Sequence, residues 1–143
     1  MLHLKSMINV IDNTGAIKAE LIHVYRVKQA RKKSVGVATV GDEVKVVVQK
    51  ARGGPTQLGG REVIRPRKGE MWKGVIVRVK KEENRLDGRQ IRFDESAVVL
   101  LNNKGEMLGS RITGPVSASL RNIGGSAAGG RWSKILSLAP KIL

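Results

Sequence analysis

Short β-branched runs, each cut off by a turn-forming residue, leave this chain little choice but a small all-β fold. Met7 to Ile11 is short and apolar-rich. Ile17, Ala19 and Leu21 alternate with Lys18 and Glu20, the period-two pattern of a half-buried strand. Val44 to Val48 and Gly74 to Val79 are rich in β-branched residues, and Ile91-Arg92-Phe93 and Ala97 to Leu101 add two short candidates. Turn signals lie between them: Asn13-Thr14-Gly15, Gly41-Asp42, Gly69-Glu70, Gly105-Glu106 and the hairpin pair Asp87-Gly88. Roughly five to seven short strands at this spacing, with no long 3.6-period stretch, predict a mainly β protein, a small antiparallel β-barrel. Trp132, Ile135, Leu136 and Leu138 form an approximately i, i+3, i+4 stripe that Pro140 stops, so a short C-terminal helical region is expected, with Trp132 packing inward.

The chain has 143 residues. At roughly 100–200 residues per domain this predicts a single domain over 1–143. Two stretches read as flexible: a ribbon or loop about 50–68, whose Gly- and Pro-bearing tip is 52–60, and a Gly-rich link about 124–130. Such a tip does not pack alone, so the arm is expected to order only against RNA or a protein neighbour.

Charge narrows the function. There are 27 basic and 12 acidic residues, a net charge of +15. From Arg26 to Arg92 the count is 19 basic against 7 acidic, and residues 1–25 are neutral. Three knots stand out: Arg26, Lys28, Arg31, Lys32 and Lys33; then Arg61, Arg65, Arg67, Lys68 and Lys73; then Arg78, Lys80 and Lys81. A folded domain this basic repels itself, and a polyanion offsets the field. The longest purely apolar run, Ala97 to Leu101, is far below the roughly 20 residues that span a bilayer, which disfavours a membrane partner. Only four residues are aromatic, Tyr25, Trp72, Phe93 and Trp132. Base stacking needs more, so a folded nucleic acid recognised through backbone and shape is expected.

Catalytic signals are missing. There is no Cys, and His3 and His23 are the only histidines, so neither a thiolate nucleophile nor a usual zinc set can form. No Walker phosphate loop occurs. Asp94-Glu95 and Glu82-Glu83 are adjacent pairs, which point to opposite faces of a strand and read as solvated turn acids. No enzyme activity, metal or cofactor is expected.

The ordered blocks Val10-Ile11-Asp12-Asn13-Thr14-Gly15-Ala16, Gly74 to Lys81, Asp87-Gly88, Ile91 to Asp94, Ala97 to Asn103, Gly109 to Val116 and Lys134 to Pro140 resemble the universal large-subunit ribosomal protein L-fourteen family. The resemblance covers most of the chain. It implies a five-stranded β-barrel with a projecting β-ribbon and a small C-terminal helical region. It also implies a structural constituent of the large ribosomal subunit that binds large-subunit rRNA at the subunit interface. Intersubunit bridges to small-subunit rRNA follow, as do neighbouring large-subunit proteins, including the one called L-nineteen in bacteria. In many members a ribosome silencing factor docks on the interface side, and those positions match Ser110, Arg111 and Lys134; Ser110 stands where many members have Thr.

Expected phosphate contacts are Lys18, Arg31, Lys32, Lys33, Lys50, Arg52, Arg65, Arg67, Lys68, Arg78, Lys80 and Lys81. The family's Gly-Ala step is usually followed by basic residues, whereas Ile17 occupies one such place here. The segments 52–60 and 124–130 look like insertions relative to bacterial members, and with the start Met1 to Ser6 they resemble fungal mitochondrial members. The expected location is a ribosome in the mitochondrial matrix, or alternatively the bacterial cytoplasm. The barrel begins almost at Met1, so import is expected to use an internal signal rather than a cleavable one. The runner-up function is a free-standing nucleic-acid-binding barrel with a regulatory role.

Overall fold

A computed structural model describes residues 1–25, 37–53, 57–58, 61–62, 65–85, 87–123 and 130–143. Its strands, in chain order, are β1 (Leu2–His3), β2 (Met7–Val10), β3 (Ala16–Val24), β4 (Val37–Ala38), β5 (Glu43–Ala51), β6 (Gln57–Leu58), β7 (Arg61–Glu62), β8 (Met71–Arg78), β9 (Glu83–Asn84), β10 (Gln90–Ile91) and β11 (Ala97–Leu101). A 3-10 turn, Ala118–Arg121, and one short helix, α1 (Ser133–Leu138), follow. The strands β11-β2-β3-β5-β8 close a barrel. Within the ribbon, β6 pairs antiparallel with β7; the Gly-rich segment 124–129 lies outside the described residues.

The expected barrel is present, with one correction: it is mixed, not purely antiparallel. Four neighbouring pairs are antiparallel, and β11 runs parallel to β2. The reason is arithmetic: an odd number of alternately directed strands closes on a pair pointing the same way. That seam is short, pairing Ala97 with Asn9 and Val98 with Val10. Side chains extend it. The amide of Asn9 donates to the Glu95 carboxylate, and Asp12 Oδ2 accepts from the Leu100 N–H at 2.8 Å. Hydrogen bonds from Thr14 and Leu100 hold Asp12 in place, yet burial dominates and pushes its carboxyl above the ordinary range.

The walls of the barrel differ in what covers them. β5 alternates: Val44, Val46 and Val48 face the interior, while Lys45 and Val47 are half-buried on the outer side. From Gly74 through β8, and along all of β11, every residue is buried. A continuous apolar run means both faces are covered. The outer cover comes from the C-terminal third: Met107, Ile112, Val116, Leu120, Trp132 and Ile135 join the same core. Trp132 packs inward as expected, at 3% exposure.

Turn positions fall where the glycine signals put them. Gly41 has φ +82°, donates to Ile76 O at 2.8 Å, and leaves no room for a Cβ beside Ile123. The Asp87-Gly88 signal makes the turn between β9 and β10, with Arg85 N bonded to Arg89 O at 2.9 Å. The strand expected over 91–93 is shorter than its composition implies, ending at Ile91, with Phe93 buried beyond it.

Candidate nucleic-acid interface

The site is assembled where β3 begins and β5 ends. Lys18 on β3 lies directly opposite Lys50 on β5, and both are exposed. A second like pair, Lys45 and Lys73, faces across β5 and β8. Like charges directly opposite weaken a strand pair. The barrel therefore sets two like-charged pairs on its bare wall; Glu20 and Glu43 stand on the same strands, yet none of the four lysines forms an ion pair among the described residues.

Two turns bring further cations to this end. In the first, Asp12 Oδ1 accepts from Thr14 N–H at 3.0 Å, and Gly15 at φ +99° turns the chain so that its carbonyl accepts from Arg52 N–H at 2.7 Å. In the second, Gly69 N–H donates to Val48 O at 2.8 Å, and Val48 N–H donates to Glu70 O at 2.9 Å. Glu70 ties this return limb by accepting from Arg67 N–H and Trp72 Nε1. Those donors hold its carboxyl below the ordinary range. Arg65, Arg67 and Lys68 are thereby placed beside Arg52.

The result is two adjoining hollows. One, of about 710 Å³, lies between the 12–18 segment and Arg52, Gly53 and Arg65, with Glu95 and Thr113 also lining it. The other, of about 310 Å³, is lined by Ala51, Arg52, Gly53, Arg65, Pro66, Arg67 and Lys68. Arg65 Nε is buried there with no hydrogen-bond partner among the described residues. No aromatic residue lines either hollow among the described residues.

The expected contacts thus separate into groups. Lys18, Lys50, Arg52, Arg65, Arg67 and Lys68 gather at the ribbon base. Lys80 and Lys81 are exposed just past β8; Lys80 N–H donates to Ser96 Oγ at 3.1 Å, and Lys81 lines a different cleft with Met1. None of these eight forms an ion pair among the described residues, whereas Arg78, Arg89, Arg92 and Arg131 each do. Arg31, Lys32 and Lys33 lie outside the described residues.

Arg78 corrects the expectation. It is 6% exposed, paired with Glu95, and donates from Nη1 to Pro115 O at 3.0 Å. A cation buried this deeply needs a fixed counter-ion, so its guanidinium is satisfied within the chain rather than presented outward. Glu95, read from sequence as a solvated turn acid, is that counter-ion. The neighbouring Gly114, at φ +84°, is required there because a Cβ would come within 2.7 Å of Arg78 Nη1.

Ser110 and Arg111 are exposed and share one anchor. Asn13 Oδ1 accepts from both of their N–H groups, at 2.8 and 3.2 Å, and Asn13 Nδ2 donates to Ser110 Oγ at 2.9 Å. Sequence reading takes Asn13 only as a turn residue, because nothing local signals a partner 97 positions away. Lys134 stands exposed on α1, joined to this loop by no hydrogen bond or ion pair among the described residues.

A closed small barrel with one covered wall and one bare wall that sets lysines opposite one another defines the class: a basic β-barrel protein. Comparison then places the chain. The family model for ribosomal protein L14p/L23e matches residues 1–143. The chain is 40% identical over 142 residues to large ribosomal subunit protein uL14m of Neurospora crassa, covering 98% of each. It is 40% identical over 143 residues to uL14m of Schizosaccharomyces pombe, and 39% identical over 144 residues to uL14 of Hydrogenobaculum sp., covering 100% of each chain in both cases. The chain belongs to the L14p/L23e family of ribosomal proteins.

Proposed function

We propose that this ribosomal protein is a structural, non-catalytic constituent of the large subunit that binds rRNA by electrostatic clamping. The rigid barrel presents Lys18, Lys50, Arg52, Arg65, Arg67 and Lys68 as one phosphate-binding face, with Lys80 and Lys81 as a second patch. What carries the reading is the set of cations that form no ion pair among the described residues, above all Lys18 set opposite Lys50. Phosphates relieve that repulsion, and counterion release supplies affinity. Arg31, Lys32 and Lys33 complete the expected set.

The same reading puts the protein at the subunit interface, bridging to small-subunit rRNA, beside neighbours that include the L-nineteen protein. Ser110, Arg111 and Lys134 form the docking face for a silencing factor, with Asn13 fixing the first two. The two uL14m relatives support a mitochondrial ribosome. Sedimentation at physiological salt tests the whole: the protein should co-migrate with the large subunit. Retention in the soluble fraction overturns the reading in favour of a free-standing nucleic-acid-binding regulator.

A further inference from the structure

We infer that the bare wall docks an acidic amphipathic helix of a protein neighbour, seated on Met7, Val47 and Met71 with its carboxylates toward Lys45 and Lys73. The inference goes beyond the rRNA reading, which uses Lys18 and Lys50 farther along the same wall.

Strand register builds the seat. Met7 on β2 lies opposite Glu20 on β3, Glu20 opposite Val47 on β5, and Val47 opposite Met71 on β8. Their chain neighbours Ile8, Ala19, Leu21, Val46 and Val48 are buried in the core, so this row points outward. Three strand spacings put Met7 and Met71 roughly 14 Å apart. The large apolar side chains exposed among the described residues are Met1, Leu4, Met7 and Met71, and two of them end this row, at 53% and 60% exposure. Apolar residues scattered singly need no partner, whereas a row of them marks an interaction site. Glu20 joins the row by its stem. Its carboxylate accepts from Gln49 Nε2 at 2.6 Å, which draws it along β5 away from Lys45.

The flanking charge selects what covers the row. Two residues along each strand, about 7 Å away, the register sets His23 opposite Lys45 and Lys45 opposite Lys73. Neither lysine forms an ion pair among the described residues. Phosphates suit those lysines but not the row beside them, where three apolar side chains offer nothing and Glu20 repels. A segment with apolar residues in one stripe and carboxylates on one flank satisfies both rows together.

That segment is a helix because the wall has no free edge. Each barrel strand is paired on both sides, so no added strand can be bonded there, and an extended chain lying on the wall would leave its own backbone groups unpaired. A helix bonds its backbone internally. Its residues i, i+4 and i+8 span about 12 Å at the usual rise, and its width of about 10 Å brings one flank over Lys45 and Lys73.

The test replaces Met71 with the photo-cross-linker benzoylphenylalanine in the full-length protein and illuminates living cells. Met71 is exposed, so the fold tolerates the change. The adduct should be a protein, joined through an apolar residue of a helix that carries carboxylates within one turn. Lys45→Glu with Lys73→Glu should cut the cross-linked fraction about tenfold or more, because like charges then meet across the contact. Lys104→Glu, on the exposed turn after β11, should leave it unchanged. Lys45→Gln with Lys73→Gln removes the like-charge pair without adding acid, so it keeps the fold if the reversal does not, and it should lower the fraction by a smaller factor. An adduct with RNA, with a second copy of this chain or with a segment lacking carboxylates overturns the inference. So does the absence of any adduct, or a fraction that neither lysine variant changes. The rRNA reading is judged apart from these outcomes, by sedimentation with the large subunit.

Discussion

Arg78 and the Lys18–Lys50 pair sit on the same small barrel and meet opposite fates. On the covered wall, the C-terminal third excludes water from Arg78, and Glu95 and Pro115 O complete its bonding. On the bare wall, Lys18 and Lys50 face each other, and neither forms an ion pair among the described residues. The difference lies in desolvation. A cation that leaves water must be neutralised within the fold, whereas one that stays in water can be left for an external anion. Cations retained for stability and cations available for binding are thus told apart by burial and partner, not by residue type or by local charge density.

Breaking the covered side should have the largest effect. Glu95→Ala leaves a buried guanidinium without its counter-ion. A fully buried pair broken this way costs about 3–5 kcal/mol. Glu95 is 45% exposed, so water compensates in part and about 2 kcal/mol is expected. Urea unfolding measures it. The exposed Arg89–Asp87 pair gives the contrast: Asp87→Ala should leave the unfolding midpoint unchanged. Equal losses from both would erase the distinction between the two walls.

The bare side should respond with the opposite sign. Lys18→Gln with Lys50→Gln relieves a like-charge repulsion and should stabilise the free protein at low salt by a few tenths of a kcal/mol, about the scale of a cross-strand pair. The same double variant should weaken rRNA binding and reduce the slope of log K against log salt by about 2, roughly one for each phosphate no longer neutralised. A variant that loses stability, or keeps its slope, would show that this pair is not held for a polyanion.

The smallest effect sharpens the seam between the walls. Burial raises the Asp12 carboxyl in the folded state, so its protonated form favours folding. That contribution is fully present below the ordinary aspartate value of about 3.9 and is lost as pH rises through the raised value. Glu70 has the reverse sign, since its lowered carboxyl contributes above the ordinary glutamate range and loses that contribution on acidification. Melting temperatures across this acid range, for the wild type against Asp12→Asn and Glu70→Gln, should separate the two trends. Parallel curves would refute the assignment.

Much of the fold was legible because its signals are local. Alternation marked β3, β-branched runs marked β5 and β8, a short apolar run marked β11, and glycines marked turns that need positive φ. The parallel seam was not legible, since no single segment records that five alternating strands must close on a mismatched direction. Charge runs located the ribbon-base cations within a few residues. They also swept in Arg78, because a run of bases looks the same whether its middle member faces water or Glu95. Lys45 went unnoticed for the converse reason: it stands alone in sequence and meets Lys73 only across the sheet.

The amino-acid order by itself determined strand-forming segments, turn positions and an excess of positive charge, because each depends on near neighbours along the chain. Only the tertiary structure decided which cations are neutralised, that Asn13 anchors Ser110 and Arg111, and that Arg52 and Arg65 share a groove. Those outcomes depend on segments beyond one another's local reach along the chain meeting in space, with energies that exist only once the barrel has closed and water has been excluded from one of its walls.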